Sequence, residues 1–172
     1  MVQAKNAEEF VAKQRAAVAS NPECGTSYYN LGVGLLGLNK TEEAENAFHD
    51  AIECSPNLAE AYVQLGGICL QRGDLDGCLD FNQRAVKSRA GFSEGYGNIG
   101  FVYLQKGDVD EAIKALQKAI TYNSKFVQAY TTLANAYLMK GLVQDSIEAN
   151  LKALRVQPDF PIAHHNLCLG YI

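Results

Sequence analysis

An all-α solenoid of antiparallel helix pairs is the fold class this sequence predicts, and three observations carry it. A shift of 34 residues brings the chain into register with itself four times, as blocks 25–58, 59–92, 93–126 and 127–160. Within each block apolar or small residues recur at positions 4, 7, 8 and 11 and again at 20, 24, 27 and 28, the i, i+3, i+4, i+7 spacing of two amphipathic helices. Between the two runs, near positions 15 and 16, stands a turn signal: Asn39-Lys40, Gly73-Asp74, Gly107-Asp108 and Gly141-Leu142.

The first helix of each block is marked by position 4 (Tyr28, Tyr62, Tyr96, Tyr130, continuing as His164), position 7 (Leu31, Leu65, Ile99, Leu133, Leu167) and position 8 (Gly32, Gly66, Gly100, Ala134, Cys168). Glycine in the turn supplies a left-handed C-cap, and Asp74 and Asp108 are placed to N-cap the helix that follows, Asp108 with Glu111 three residues on. The second helix carries small residues at position 20 (Ala44, Cys78, Ala112, Ser146), alanine at 27 (Ala51, Ala85, Ala119, Ala153) and an aliphatic at 28 (Ile52, Val86, Ile120, Leu154). Proline at position 32, Pro56 and Pro158, ends it. Two helices joined by so short a turn must cross closely, which accounts for the small columns at 8, 20 and 27.

The ends follow the same register. Residues 1–24 form a half-repeat: 5–23 read as a lone second helix, with Phe10, Val11, Ala17 and Val18 on its apolar face and Pro22 in the position 32 slot. Residues 161–172 read as a first helix only, stopping at Tyr171-Ile172 without a polar cap. Because each repeat buries its face only against its neighbours, uncapped ends lead to the expectation of a segment cut from a longer solenoid.

The pattern resembles the tetratricopeptide repeat family, whose consensus places a large aromatic at 4, Leu-Gly at 7 and 8, Tyr at 11, Ala at 20, an aromatic at 24, Ala at 27 and Pro at 32. Two columns depart from it: position 24 is Phe48 and Leu116 but Asn82 and Asn150, and position 32 is Ala90 and Ser124 in two blocks. The resemblance implies a right-handed superhelix whose first helices line a concave groove at positions 2, 5, 6, 9, 12 and 13. It also implies a protein-interaction function, with an extended peptide or protein segment held in that groove.

Position 6 then reads Asn30, Gln64, Asn98, Thr132, Asn166, a column of mostly amide side chains able to bond a peptide backbone. It is similar to the asparagine ladder of the peptide-holding superhelices in O-GlcNAc transferase and kinesin light chain; the competing reading is that these groups face solvent or bond a neighbouring helix. Apolar candidates are Tyr29 and Val63 at position 5 and Val33, Phe101 and Leu169 at position 9, where Asn135 also stands; exposed together they would make a binding patch. Position 12 (Leu36, Leu70, Leu104, Leu138, Ile172) reads equally as groove or as inter-repeat core. Glu60 and Glu94 at position 2 supply the acids, and none of the six columns carries Lys or Arg. The Lys and Arg carboxylate clamp with which members of the family grip chaperone C-termini is therefore absent, and the partner expected is extended, moderately apolar and uncharged or mildly basic. Gly37 and Gly97 fall in groove columns, where they leave room for a ligand residue.

Composition excludes other classes. Of 172 residues, 48% are hydrophobic and 20% charged, which suits a folded globular chain, and 15 Lys+Arg against 19 Asp+Glu leave a net charge of −4, without the basic field that nucleic acid needs. A helical-repeat RNA reader is disfavoured further by the 34-residue period. Neither a secretory leader nor a membrane-spanning run is legible. Five cysteines without a Cys-x-x-Cys pair fit reduced thiols, hence a reducing, cytoplasmic setting.

Gly32-Gly34-Gly37 and Gly95-Gly97-Gly100 match a dinucleotide fingerprint but fall inside first helices, in different repeat phases and with no preceding strand, so no cofactor is expected. His164 and Cys168 have metal-ligand spacing but occupy core columns 4 and 8, and no metal is expected; His165 stands in the groove column. No catalytic constellation is present, so the expectation is a non-catalytic scaffold. The alternatives are the peptide-holding arm of a larger enzyme and a module that self-associates through its end helices.

Overall fold

Turns set the architecture, since each helix pair is closed by one residue in the left-handed region: Asn39 (φ 58°), Gly73 (78°), Gly107 (84°) and Gly141 (72°). The structure, a computed structural model, describes residues 2–170, which form helices joined by short connections. The helices are α1 (Val2–Ser20), α2 (Gly25–Gly37), α3 (Thr41–Cys54), α4 (Ala59–Gln71), α5 (Leu75–Ser88), α6 (Ser93–Lys106), α7 (Val109–Tyr122), α8 (Val127–Met139), α9 (Val143–Val156) and α10 (Pro161–Gly170). Pro56 and Pro158 lie two residues beyond the ends of α3 and α9. Asp74 caps α5 as expected, its Oδ1 accepting from the Gly77 amide at 2.9 Å. Asp108 sits at the N-cap of α7 but its side chain makes no cap bond, and Glu111 turns to Lys114 (2.6 Å).

The chain divides into two units, Met1–Arg89 and Ala90–Ile172. In the first, α1 to α5 pack each on the next. Its core gathers Val11 of α1, Leu31 and Leu35 of α2, Ala44, Ala47 and Phe48 of α3, and Leu65 and Ile68 of α4. The helix crossings explain the small columns. A Cβ on Gly32 would stand 2.6 Å from Cε1 of the fully buried Phe48 ring, and one on Gly66 would stand 2.5 Å from Nδ2 of Asn82. Inter-helix ion pairs border this unit: Arg15–Glu43 (2.6 Å), and Arg72 with both oxygens of Glu45 (2.8 and 2.6 Å). Exposed pairs of this kind contribute only about 0.2–1 kcal/mol each.

In the second unit α6 to α10 pack in succession, with α6 and α10 also touching α8. Leu116 and Ala119 of α7 bury against Ala129 and Leu133 of α8, and Val127, Ala153 and Ala163 tie α8, α9 and α10 together. Gly100 repeats the crossing rule, a Cβ there meeting Leu116 Cγ at 2.5 Å. The asparagines that replace the large residue at position 24 are fully buried in both units. Each amide donates to the carbonyl one turn back, Asn82 to Cys78 (2.8 Å) and Asn150 to Ser146 (3.1 Å), so burial leaves no orphaned polar atom.

Candidate functional site

In the first unit the candidate residues lie on α2 and α4. Asn30 and Gln64 are half-buried at the surface, and Val33 is 41% exposed. The other apolar candidates are not part of an open patch. Val63 is only 7% exposed, and Tyr29 packs on the core with its ring tilted against Phe48, centroids 5.9 Å apart. Glu60 is engaged within the chain: Arg89 grips both carboxylate oxygens at 2.6 Å. Partial burial pushes this carboxyl up, but the Arg89 fork and a bond from its own backbone amide together outweigh it and hold the group below the usual carboxylate range.

In the second unit the candidates lie on α6, α8 and α10. Glu94, Asn98 and Phe101 follow one another at i, i+4 and i+7 along α6; Glu94 is exposed, Asn98 half-buried and Phe101 38% exposed. Glu94 and Asn98 line an open cleft of about 420 Å³ together with Phe92, Asn123, Phe126 and Gln128. The C-terminal part of the amide column is used internally. The Thr132 hydroxyl donates to the Gln128 carbonyl at 2.8 Å. Asn166, 7% exposed, donates from Nδ2 to Oδ1 of the exposed Asn135 at 3.1 Å and lies 3.4 Å from Oδ1 of Asn150. Here the bond to a neighbouring helix is the arrangement observed.

Position 5 is thus mostly interior: Thr131 is buried like Val63, and Gly97 makes room for the Phe126 ring, 2.7 Å from where its Cβ would be, rather than for a ligand. Gly37 does face open space. At position 12, Leu36 and Leu104 pack against the cores of their units. Ile172 and the Leu169 side chain lie outside the described residues. His164 and Cys168 are exposed rather than core, His164 Nε2 sitting 2.8 Å from the Pro158 carbonyl, and His165 is exposed beside them. Among the described residues no group of His, Cys, Asp and Glu could hold a metal ion, and no helix is long and apolar enough to cross a membrane.

Sequence reasoning missed Phe92 and Phe126, although the signal was there. Position 34, the N-cap of each following first helix, is Leu58, Phe92, Phe126 and Phe160, an apolar column as regular as the others.

Stacked antiparallel helix pairs closed by short turns define an α-helical repeat protein. The tetratricopeptide repeat profile matches residues 29–91 and a second TPR repeat profile residues 94–141, together well over half of the sequence. The chain belongs to the tetratricopeptide repeat family, a class of protein-interaction scaffolds. No curated protein matches it in sequence. Among solved structures it is similar to MamA (24% identity, TM-score 0.73, covering 86% of each chain). It is similar also to YrrB, described as a TPR protein with an unusual peptide-binding site (22% identity, TM-score 0.72, 94% of this chain and 83% of that one). A third is pilF of Pseudomonas aeruginosa (20% identity, TM-score 0.77, 85% and 67%). At these identities the likeness is one of fold.

Proposed function

We propose that the chain is a non-catalytic scaffold that binds an extended peptide segment on its first-helix face, with the α6 surface of the second unit as principal contact. The observation that carries this reading is the row Glu94, Asn98 and Phe101: an acid, an amide and an apolar ring on one face of one helix, two of them opening into a cleft of about 420 Å³. An amide both donates and accepts, which suits the alternating N–H and C=O of an extended strand, and Phe101 offers apolar area beside it. The columns hold no Lys or Arg, so a C-terminal carboxylate is not the ligand; a moderately apolar, uncharged or mildly basic segment is. Asn30, Gln64 and Val33 offer the same chemistry on the first unit. Peptides selected on the intact chain should bind Asn98→Ala/Phe101→Ala more weakly by about 1–3 kcal/mol in calorimetric titration, with the helical circular dichroism unchanged. Unaltered affinity would refute the assignment.

A further inference from the structure

A second cleft of the second unit lies away from this face. It opens between the second helices α7 and α9, over α8, with a volume of about 500 Å³, within the range of roughly 300–1,000 Å³ typical of sites that hold small ligand groups. Its floor is Tyr130, Leu133 and Tyr137, one wall is Ile120, and Ala149 stands opposite. Asp145 and Glu148 are at its edge.

The first unit shows what fills the corresponding place. Between α3 and α5, over α4, position 23 is Phe81 instead of alanine. Its ring packs on the core and meets His49 edge-on at 6.0 Å. Three residues on, Arg84 lies over the Tyr62 ring (4.9 Å to the centroid) and over Phe81 itself (5.7 Å). In the second unit Tyr130 repeats Tyr62, but Ala149 replaces Phe81 and Lys152 replaces Arg84. Lys152 leans to Glu148 at 2.7 Å, and Asp145 pairs with no cation among the described residues. The tyrosine floor is kept, the ring that would cover it is missing, and the edge carries two acids against one cation.

We infer that the α7–α9 cleft is a second binding site, which takes from a partner peptide an aromatic side chain with an arginine three residues beyond it. The ring occupies the volume that Phe81 fills in the first unit, and the guanidinium lies over Tyr130, where Asp145 compensates its charge. This site is independent of the proposed α6 face, since its walls are the second helices α7 and α9.

The test uses the intact chain and a short blocked peptide carrying Phe and Arg three residues apart, with Phe→Ala and Arg→Ala versions as controls. Nuclear magnetic resonance should show the Ala149 methyl and the Tyr130 and Tyr137 rings shifting with the Phe/Arg peptide, and both controls binding more weakly. Ala149→Phe, which fills the cleft from within, should lower affinity by at least about tenfold, and Asp145→Asn should weaken the Arg-bearing peptide by about threefold and leave the Arg→Ala version unaffected. Shifts confined to α6, equal binding to Ala149→Phe, or no shift at millimolar peptide would overturn the assignment. Should Ala149→Phe fail to fold, the shift map of the unaltered chain decides. Ala149 signals that move with protein concentration alone would replace the peptide with a second copy of the chain.

Discussion

The helix crossing at Gly32 gives the sharpest test of how the repeats hold together. In Gly32→Ala the new methyl would sit 2.6 Å from Phe48 Cε1 and 2.8 Å from Cδ1 and Cζ, about 1 Å inside the separation of ordinary carbon contacts. Phe48 is fully buried in the first unit's core, so its ring cannot swing into solvent. Forcing a methylene-sized group into such a site costs about 1–3 kcal/mol. Against this, replacing a mid-helix glycine by alanine gains about 0.5–1 kcal/mol of backbone entropy and propensity. Gly67→Ala isolates that second quantity, because Gly67 is an exposed residue of α4 with no heavy atom within 4 Å of its would-be Cβ. The two variants should therefore differ by the packing cost alone: Gly67→Ala slightly more stable than the parent, Gly32→Ala about 1–3 kcal/mol below Gly67→Ala. Urea unfolding followed by helical circular dichroism reads the difference directly. Adding Phe48→Leu to Gly32→Ala should recover part of the loss, a coupling of at least about 0.5 kcal/mol in the double-mutant cycle. Equal stability of Gly32→Ala and Gly67→Ala would mean that position 8 is small for some reason other than the crossing.

Two further outcomes follow from the electrostatics. The Glu60 carboxyl is held below its ordinary value of 4.5 in the folded chain, so its bond to Arg89 contributes stability above that pH and loses it as pH falls through the lowered folded value. Glu60→Gln should accordingly cost about 0.2–1 kcal/mol at neutral pH and converge with the parent in acid, checked by urea titrations at pH 7 and pH 3; a constant gap would refute it. Among the thiols, the Ser27 hydroxyl and then the amides at the start of α2 hold Cys24 below its usual pKa, whereas burial pushes Cys78 up to about 11. Timed iodoacetamide labelling of the native chain at pH 7.5, read by mass spectrometry, should modify Cys24 before Cys54, whose pKa burial raises, and Cys78 last; comparable rates at Cys24 and Cys78 would contradict this.

Helix pairing was legible because its determinants are local. A left-handed residue must close each pair, and the positions that supply it, Asn39, Gly73, Gly107 and Gly141, stand in the sequence at one phase of the repeat. Position 24 was harder, since a buried asparagine reads as a defect until the i−4 carbonyl that accepts from it is located. The candidate site was only partly legible for a geometric reason. Position 5 lies one residue from the core column at 4, and whether it faces outward depends on how near the adjacent elements stand. Val63 and Thr131 are buried, and Gly97 yields its space to Phe126. No periodicity within one helix reveals that distance. Similarly, Asn166 reads as a ladder rung until Asn135 and Asn150 are seen to hold it.

What distinguishes one repeat from another is therefore concentrated at positions the consensus does not fix. Column 23 is Ala47, Phe81, Ala115 and Ala149, and the single phenylalanine lays a partly buried ring against the core beneath Arg84. In column 2, Glu60 is held by Arg89 and Glu94 lines a cleft. In column 23 the first unit supplies from its own chain a ring that the second unit lacks. A repeat scaffold can in this way keep one crossing geometry, set by small residues at 8 and 27, and place recognition in a few side chains whose loss of an internal partner creates room for an external one. On that reasoning substitutions in α6 and α9 should alter ligand capture at smaller cost in stability than substitutions at Gly32 or Phe48.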